Sequence, residues 1–299
     1  MFATLLMCLL NMQDFSTTVK LARIEMRAID LLGKPLQGLL ATDVEVSEND
    51  SKQTIRSLER DEVPLDLFLI VDVSGSMHGN IARIAQTAKQ ALQALKPQDR
   101  VGLMSFNLKN KLQLSLSSDL VEVESKIQEL AQKKNFGGGT ILNTPIYEAA
   151  KILRAESAKE RRRAILMLTD GQGQKGTRSA KVLQELWEGD ITLNALILNP
   201  SKLARGLGIY RKVTAPYLIP LDASISDLVN KSSGELMGIN DSPAPLVEIL
   251  ERIRSRYTLY YEPPEGEAKV RKVVATLSTS GKEKYPGAKA IGRRQYSAP

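Results

Sequence analysis

The chain of 299 residues carries one cysteine, one histidine and one tryptophan, and aromatic residues make up only 5% of it. Each scarcity excludes something. A lone Cys8 rules out an internal disulfide and a thiolate metal cage. A lone His78 means that any Ser/His/Asp or Cys/His relay would rest on one imidazole; it follows Ser76-Met77 and reads as an exposed loop residue. Few aromatic rings leave few platforms for stacking bases. Long apolar runs are also missing. Met1 to Leu10 is apolar over only about ten residues, too short to span a bilayer, and has neither the basic flank of a secretory signal nor the small residues of a lipoprotein cleavage site around Cys8.

What is present is ordinary globular composition, 42% hydrophobic and 25% charged, enough for one large or two smaller domains with a sizeable core. The net charge of +7 is modest for this length. Basic residues are dispersed apart from Arg161-Arg162-Arg163 and Arg293-Arg294, so no nucleic-acid footprint emerges. Arg161 to Arg163 read as a solvated helix end ahead of a buried strand.

Three separated fragments carry the chemistry: Asp72-Val73-Ser74-Gly75-Ser76, Gly137-Gly138-Gly139-Thr140 and Thr169-Asp170-Gly171. Asp72 ends the apolar run Leu67 to Val71, and Asp170 follows the run Ala164 to Leu168; each run reads as a buried parallel strand. In an open parallel sheet, ligand groups gather beyond the carboxyl ends of the strands, so two distant aspartates can meet there. Ser74, Ser76 and Thr140 join them, giving an all-oxygen set without Cys or His. Such a set suits a hard divalent cation, Mg²⁺ most naturally, with Mn²⁺ or Ca²⁺ as alternatives, and suits zinc poorly. If the hydroxyls bind directly while the aspartates act partly through water, the ion keeps positive charge and an open position for an outside carboxylate. The glycines before Thr140 do not lead into G-x-x-x-x-G-K-[ST], so they read as room for close approach to the metal rather than a phosphate cradle.

Around these fragments, residues 64 to 256 alternate strands and helices, which predicts an α/β fold. Ile81, Ile84, Ala88, Ala91, Leu92 and Leu95 recur at helical spacing, and Lys96-Pro97-Gln98-Asp99 closes that helix. Val101 to Phe106 is the next strand, with Leu112, Leu114 and Leu116 alternating as its edge hairpin partner. A helix spans Val121 to Leu130, and another starts with Asn143 or Thr144 as cap and Pro145 in its first turn. Val182, Leu183 and Leu186 mark a helix that packs Trp187 into the core, Leu193 to Leu198 forms a strand, and the sheet is expected to be complete by Leu221. Pro200 to Thr214 reads as an extended surface connection, and helices at Ile225 to Val229 and Leu246 to Ile253 are separated by Ser233-Gly234-Glu235. The flanks have a different period. Ile24, Met26 and Ala28 alternate with Arg23, Glu25 and Arg27, and Val44 to Val46, Tyr257 to Tyr261, Val270 to Leu277 and Ala290 to Tyr296 also read as half-buried strands, their tyrosines furnishing strand faces. Neither flank alone makes a stable sheet, so both ends are expected to pair into one small β domain around the inserted α/β domain.

The order D-x-S-x-S, a glycine-led Thr, then T-D-G resembles the von Willebrand factor type A domain with its metal-ion-dependent adhesion site. The resemblance implies a doubly wound, mostly parallel, Rossmann-like sheet flanked by helices, with Asp72, Ser74, Ser76, Thr140 and Asp170 as the site residues; none of the five departs from the pattern. The flanks resemble the bacterial VWFA-related family of acidobacterial type. Ala28 to Leu39 and Asp43 to Glu48 follow its N-terminal stretch, and Arg256-Tyr257-Thr258-Leu259-Tyr260-Tyr261-Glu262-Pro263 its R-Y-x-L-x-Y-x-P. Departures are Gln172, where an acidic residue is common, and Gln295 in the closing motif. The implied layout is an apolar segment over 1–15 that is a candidate signal remnant, β structure over 16–62, the type A domain over 63–256, and β structure over 257–299. The implied function is non-enzymatic: a bound Mg²⁺, Mn²⁺ or Ca²⁺ captures an exposed Asp or Glu of a protein partner. The implied setting is extracytoplasmic, periplasmic or secreted, with the cytoplasm as alternative. Two competing classes are a metal-dependent hydrolase or phosphoryl-transfer enzyme, which would need a base beside the ion, and a chelatase-type subunit of a larger ATPase assembly. The sequence leaves oligomeric state open.

Overall fold

The computed structural model describes residues 21–60, 63–132, 138–174, 176–198, 221–242, 244–264, 270–292 and 295–297. The expectations made for residues 1–15, Cys8, Gly137, Pro200 to Thr214 and Arg293-Arg294 lie outside these residues.

The chain starts in β structure. Strand β1 (Ala22–Ile29) is followed by a turn in which the Asp30 carboxylate accepts from the backbone N–H of Leu32 and Lys34 at 2.9 and 2.8 Å. Strands β2 (Val44–Glu48), β3 (Ser51–Gln53) and β4 (Ile55–Arg60) complete this flank. Strand β5 (Leu65–Asp72) is then buried along its whole length, as expected for a central strand covered on both faces. Leu67, Leu69 and Val71 point to one face, and Phe68 and Ile70 to the other. The α/β region continues with α1 (His78–Leu92), β6 (Arg100–Phe106), β7 (Asn110–Ser117), α2 (Leu120–Ala131) and α3 (Asn143–Glu156). It ends with β8 (Arg162–Thr169), α4 (Ser179–Glu188), β9 (Ile191–Ile197), α5 (Leu221–Lys231), β10 (Leu236–Gly238) and α6 (Pro245–Arg254). The second flank holds β11 (Tyr257–Tyr261), β12 (Val270–Leu277), the short helix α7 (Thr279–Lys284), β13 (Lys289–Gly292) and β14 (Gln295–Ser297).

The central sheet has six strands in the order β10-β9-β8-β5-β6-β7, parallel except for β7 at the edge. Helices α1, α2 and α6 cover one face through Ile84, Ala88, Ile127 and Ile249; α3, α4 and α5 cover the other through Ile146, Leu153, Leu186 and Leu228. This is a doubly wound fold. The chain runs from β5 outward to β6 and β7 and then returns to the opposite side of β5 as β8. Strand order therefore reverses between β5 and β8, where a crevice opens beyond the strand ends.

Strands from both flanks build two antiparallel four-stranded sheets, β13-β1-β11-β4 and β14-β12-β2-β3. Ile24, Met26, Val46, Leu259, Tyr261 and Val273 fill the core between them. Tyr261 also donates its phenol to the Glu48 carboxylate, which Arg271 meets at 2.6 Å. The fold is thus a doubly wound domain inserted in a small β sandwich made by both ends of the chain.

An ionic junction joins the two units at the amino ends of the parallel strands. Arg162 opens β8, contacts Glu25 of β1 at 3.2 Å, and donates to the carbonyls of Arg254 and Ile253 at 3.0 and 2.7 Å. Arg256 donates to the Ser233 carbonyl at 2.9 Å and to Asn194 Oδ1 at 3.1 Å, and Arg23 pairs with Asp190 at 2.9 Å. Burial on its own would raise the Glu25 carboxyl, but Arg162 and Arg256 beside it bring it below its usual range. Since β8 spans eight residues, this junction and the carboxyl end of the sheet lie roughly 25 Å apart.

Several local expectations are corrected. Arg162 and Arg163 are buried rather than a solvated helix end; Arg163 donates to the Gly189 and Ser157 carbonyls at 2.7 and 2.6 Å. Glu25 is buried too, because the polar face of β1 meets the α/β domain instead of water. The sheet is not complete by Leu221: β10 adds a further parallel strand on β9 within the segment read as a simple break between helices. Neither Asn143 nor Thr144 caps α3, whose N-cap is Leu142 without a side-chain bond. Asn143 instead donates to the Thr177 carbonyl at 2.9 Å and Thr144 Oγ1 lies 3.1 Å from Thr177 Oγ1, so both tie the helix start to the loop after β8. His78 is the first residue of α1 rather than a loop residue, and its side chain lies outside the described residues. Trp187 is half-buried against the core and donates to the Lys231 carbonyl at 3.0 Å.

Candidate metal centre

Asp72 is the last residue of β5 and Asp170 the first after β8, and the pairing of Val71 with Leu168 sets these two strand ends side by side. Both carboxylates are buried, Asp170 to 1% exposure. Asp72 Oδ1 accepts the Ser74 backbone N–H at 2.9 Å, which curls the chain so that Ser74 Oγ comes within 3.2 Å of Ser76 Oγ. Ser74 is buried and Ser76 exposed, so the pair runs from the floor of the crevice to its mouth. Asp170 Oδ1 likewise accepts the Gln172 N–H at 3.0 Å.

Thr140, also buried, arrives from a third direction. Its carbonyl accepts the Gln174 N–H at 2.7 Å, and Leu142 N–H donates to the Gln174 carbonyl at 2.9 Å, so the Thr140 segment is stitched to the loop that follows Asp170. Ile141 N–H donates to the Asn107 carbonyl at 2.9 Å, anchoring the other side to the turn after β6. Gly173 is needed for this contact, since a Cβ there would stand 2.7 Å from the Thr140 carbonyl oxygen and 2.9 Å from its Cβ. Gly139 adopts φ +75°, and its missing side chain makes room for Leu108.

Thr169 was not singled out by sequence reasoning. Its buried hydroxyl donates to Asp72 Oδ2 at 2.7 Å and accepts the Gly171 N–H at 3.1 Å, linking the two aspartate loops from beneath. Its position before the second aspartate is the only signal the sequence offers.

The electrostatics are those of a place that wants a cation. Burial pushes the Asp72 carboxyl up to about 6, against hydrogen bonds from Ser74 and Thr169 that favour its charge, and the nearby negative charge of Asp170 adds to the rise. Asp170 Oδ2 is buried with no hydrogen-bond partner. Among the described residues neither carboxylate is paired with a lysine or arginine. An unpartnered buried carboxylate oxygen costs free energy that a bound cation would recover. Among the described residues no group of three or more His, Cys, Asp or Glu gathers as a metal cluster, so an ion here would be held by two carboxylates and hydroxyls. That donor chemistry fits Mg²⁺, Mn²⁺ or Ca²⁺.

Residues 67–172 match the family model of the von Willebrand factor type A domain, a span that contains all five predicted site residues. The fold is that of such a domain, with the β sandwich added at its ends. In overall structure the chain is similar to the conserved hypothetical protein BatB of Bacteroides thetaiotaomicron, at 17% identity over 63% of this chain and 97% of that one, with a TM-score of 0.47. It is similar to an aerotolerance-related membrane protein of Bacteroides fragilis at 16% identity, covering 64% and 99% of the two chains, with a TM-score of 0.47. A third likeness is to proximal thread matrix protein 1 of the mussel byssus, at 15% identity over 66% of this chain and 49% of that one, TM-score 0.47. No curated protein matches the chain. Among the described residues, no helix is long and apolar enough to cross a membrane.

Proposed function

We propose that this protein is a non-enzymatic, metal-dependent protein-binding module. Asp72, Ser74, Ser76, Thr140 and Asp170 would hold a divalent cation, Mg²⁺ first among the candidates, at the point where strand order reverses. When bound, the ion supplies a Lewis-acidic position that an Asp or Glu of a protein partner can fill. Asp72 and Asp170 set the charge of the floor, Thr169 holds Asp72 ionised and oriented, and Ser76 lies at the exposed mouth where a partner would approach. The observation that carries the reading is the buried, unpartnered Asp170 Oδ2 beside a second buried carboxylate.

The described loops at this end of the sheet contribute only one further carboxylate, Asp241 beyond β10. Among the described loops a general base outside the ion's own ligands would have to be Asp241, which instead accepts the Gly238 N–H, and this favours binding over catalysis. The likeness of both flanks to the bacterial VWFA-related family, and with it an extracytoplasmic setting, belongs to the same proposal; fractionation of cells carrying the tagged full chain tests the setting.

Calorimetric titration of Mg²⁺ and Mn²⁺ into chelator-stripped protein tests the function, alongside Asp72→Ala and Thr140→Ala. The expected result is one site, lost in Asp72→Ala, weakened in Thr140→Ala, and tightened by an acidic peptide. No heat and no metal-dependent stabilisation in the wild type would remove the reading.

A further inference from the structure

The rim of the candidate metal centre carries an exposed apolar side chain. Leu108 sits at the tip of the turn after β6 and is 52% exposed. The turn is well held: Asn107 N–H donates to the Lys109 carbonyl at 3.1 Å, Lys109 N–H donates to Asn107 Oδ1 at 3.0 Å, and the Asn107 carbonyl accepts from Ile141. Leu108 rests against Gly139, where an added Cβ would come within 2.9 Å of its Cδ2. Through Gly139 and Ile141 it is fixed on both sides to the neighbours of Thr140. Next to it, Lys109 and Lys111 are exposed.

We propose that Leu108 is a specificity-determining contact: the partner segment presents a large apolar side chain next to the acidic one, and that side chain packs on Leu108. The inference rests on the metal-dependent reading of the same site. Two observations commit it to an acidic peptide segment. Lys109 and Lys111, exposed in and beside this turn, complement added negative charge on the partner. An isolated leucine on a rigid turn, half out of water beside a polar cleft, offers the small dry contact that surrounds a central anchor in protein interfaces.

The test compares two synthetic peptides, acetyl-Gly-Gly-Asp-Gly-Gly-amide and acetyl-Gly-Gly-Asp-Leu-Gly-amide, binding to the full chain in Mg²⁺. The apolar peptide is expected to bind about tenfold more tightly, as burial of roughly half a leucine side chain on each partner implies. In Leu108→Ser this preference disappears while Mg²⁺ affinity measured without peptide stays within about twofold; Leu108→Met keeps the preference. Equal binding of the two peptides by a wild type that binds Mg²⁺, or a preference that survives Leu108→Ser, overturns the assignment and leaves the metal site standing. Absence of Mg²⁺ binding in the wild type overturns both. Mg²⁺-dependent self-association that Leu108→Ser abolishes, seen by sedimentation, would give this surface to a second copy of the chain and refute the peptide partner.

Discussion

Replacing Thr169 by valine keeps the shape of the side chain and deletes one hydroxyl from beneath the aspartates. That hydroxyl donates to Asp72 Oδ2 at 2.7 Å, accepts from Gly171 at 3.1 Å, and is fully buried, so water cannot substitute for it. A hydrogen bond to a charged group contributes about 1.5–3 kcal/mol. Because this one favours the ionised carboxyl, its loss pushes Asp72 further above about 6, and a proton then competes with the cation at neutral pH. Removal of such an outer support is expected to weaken Mg²⁺ binding ten- to hundredfold. Calorimetry at pH 7 measures it, with thermal unfolding in chelator as the stability reference. Thr169→Ser restores the hydroxyl and loses a methyl, so it should recover Mg²⁺ affinity while keeping a stability deficit of about 1 kcal/mol. If Thr169→Val binds Mg²⁺ as the wild type does, or if serine fails to restore binding, the hydroxyl is structural only and the reasoning fails.

Two further outcomes follow from the buried charges. Glu25→Ala leaves Arg162 and Arg256 buried without their carboxylate and should cost about 3–5 kcal/mol in denaturant unfolding; a loss under 1 kcal/mol would mean that the carbonyl contacts of the arginines suffice. The Glu25 carboxyl is held below its usual 4.5, so its contribution is present above that pH and lost as pH falls through the folded value; the variant should lack this acid sensitivity. Asp72 behaves oppositely. Raised from 3.8 to about 6, it favours the metal-free fold by roughly 3 kcal/mol below the lower value, and that contribution is lost as pH rises through the upper one. Mg²⁺-induced stabilisation should therefore grow between pH 5 and 7.5 in melting experiments, and a shift indifferent to pH would show that no such carboxyl faces the ion.

The legible parts of the fold were those whose signal is local. Strands β5 and β8 are continuous apolar runs because both faces are covered, and each leads into an aspartate at its carboxyl end; the α/β class and the two candidate aspartates could be read from that, while Ser74, Ser76 and Thr140 came from the family motif. Strand β10 could not. It is three residues long, has one deeply buried hydrophobic side chain in Met237, and exists because β9 offers an edge. Strand β4, with the sequence Ile-Arg-Ser-Leu-Glu-Arg, hides its pairing with β11 behind the polarity of a sheet edge. Arg162, which opens β8, looked solvated because its partners, Glu25 and the carbonyls of Ile253 and Arg254, lie far away in sequence. Thr169 was hidden for the same reason: its bond to Asp72 follows from the pairing of β5 with β8, not from any neighbour in the chain.

That pairing also decides how the two halves of the molecule communicate. The junction with the β sandwich grips the amino ends of the strands, and the candidate ion site lies at their carboxyl ends, eight residues of β8 away. Both chain flanks enter at the junction, and among the described residues Asp72, Thr140 and Asp170 are held by loops of the inserted domain. Substitutions far beyond about 10 Å apart with no shared partners add. Glu25→Ala should accordingly lower stability without changing Mg²⁺ affinity, Thr169→Val should lower affinity, and the double variant should show the sum within about 0.5 kcal/mol. A coupling well above that would mean that the strands slide or twist as units, making the sandwich a regulator of the metal face rather than its pedestal.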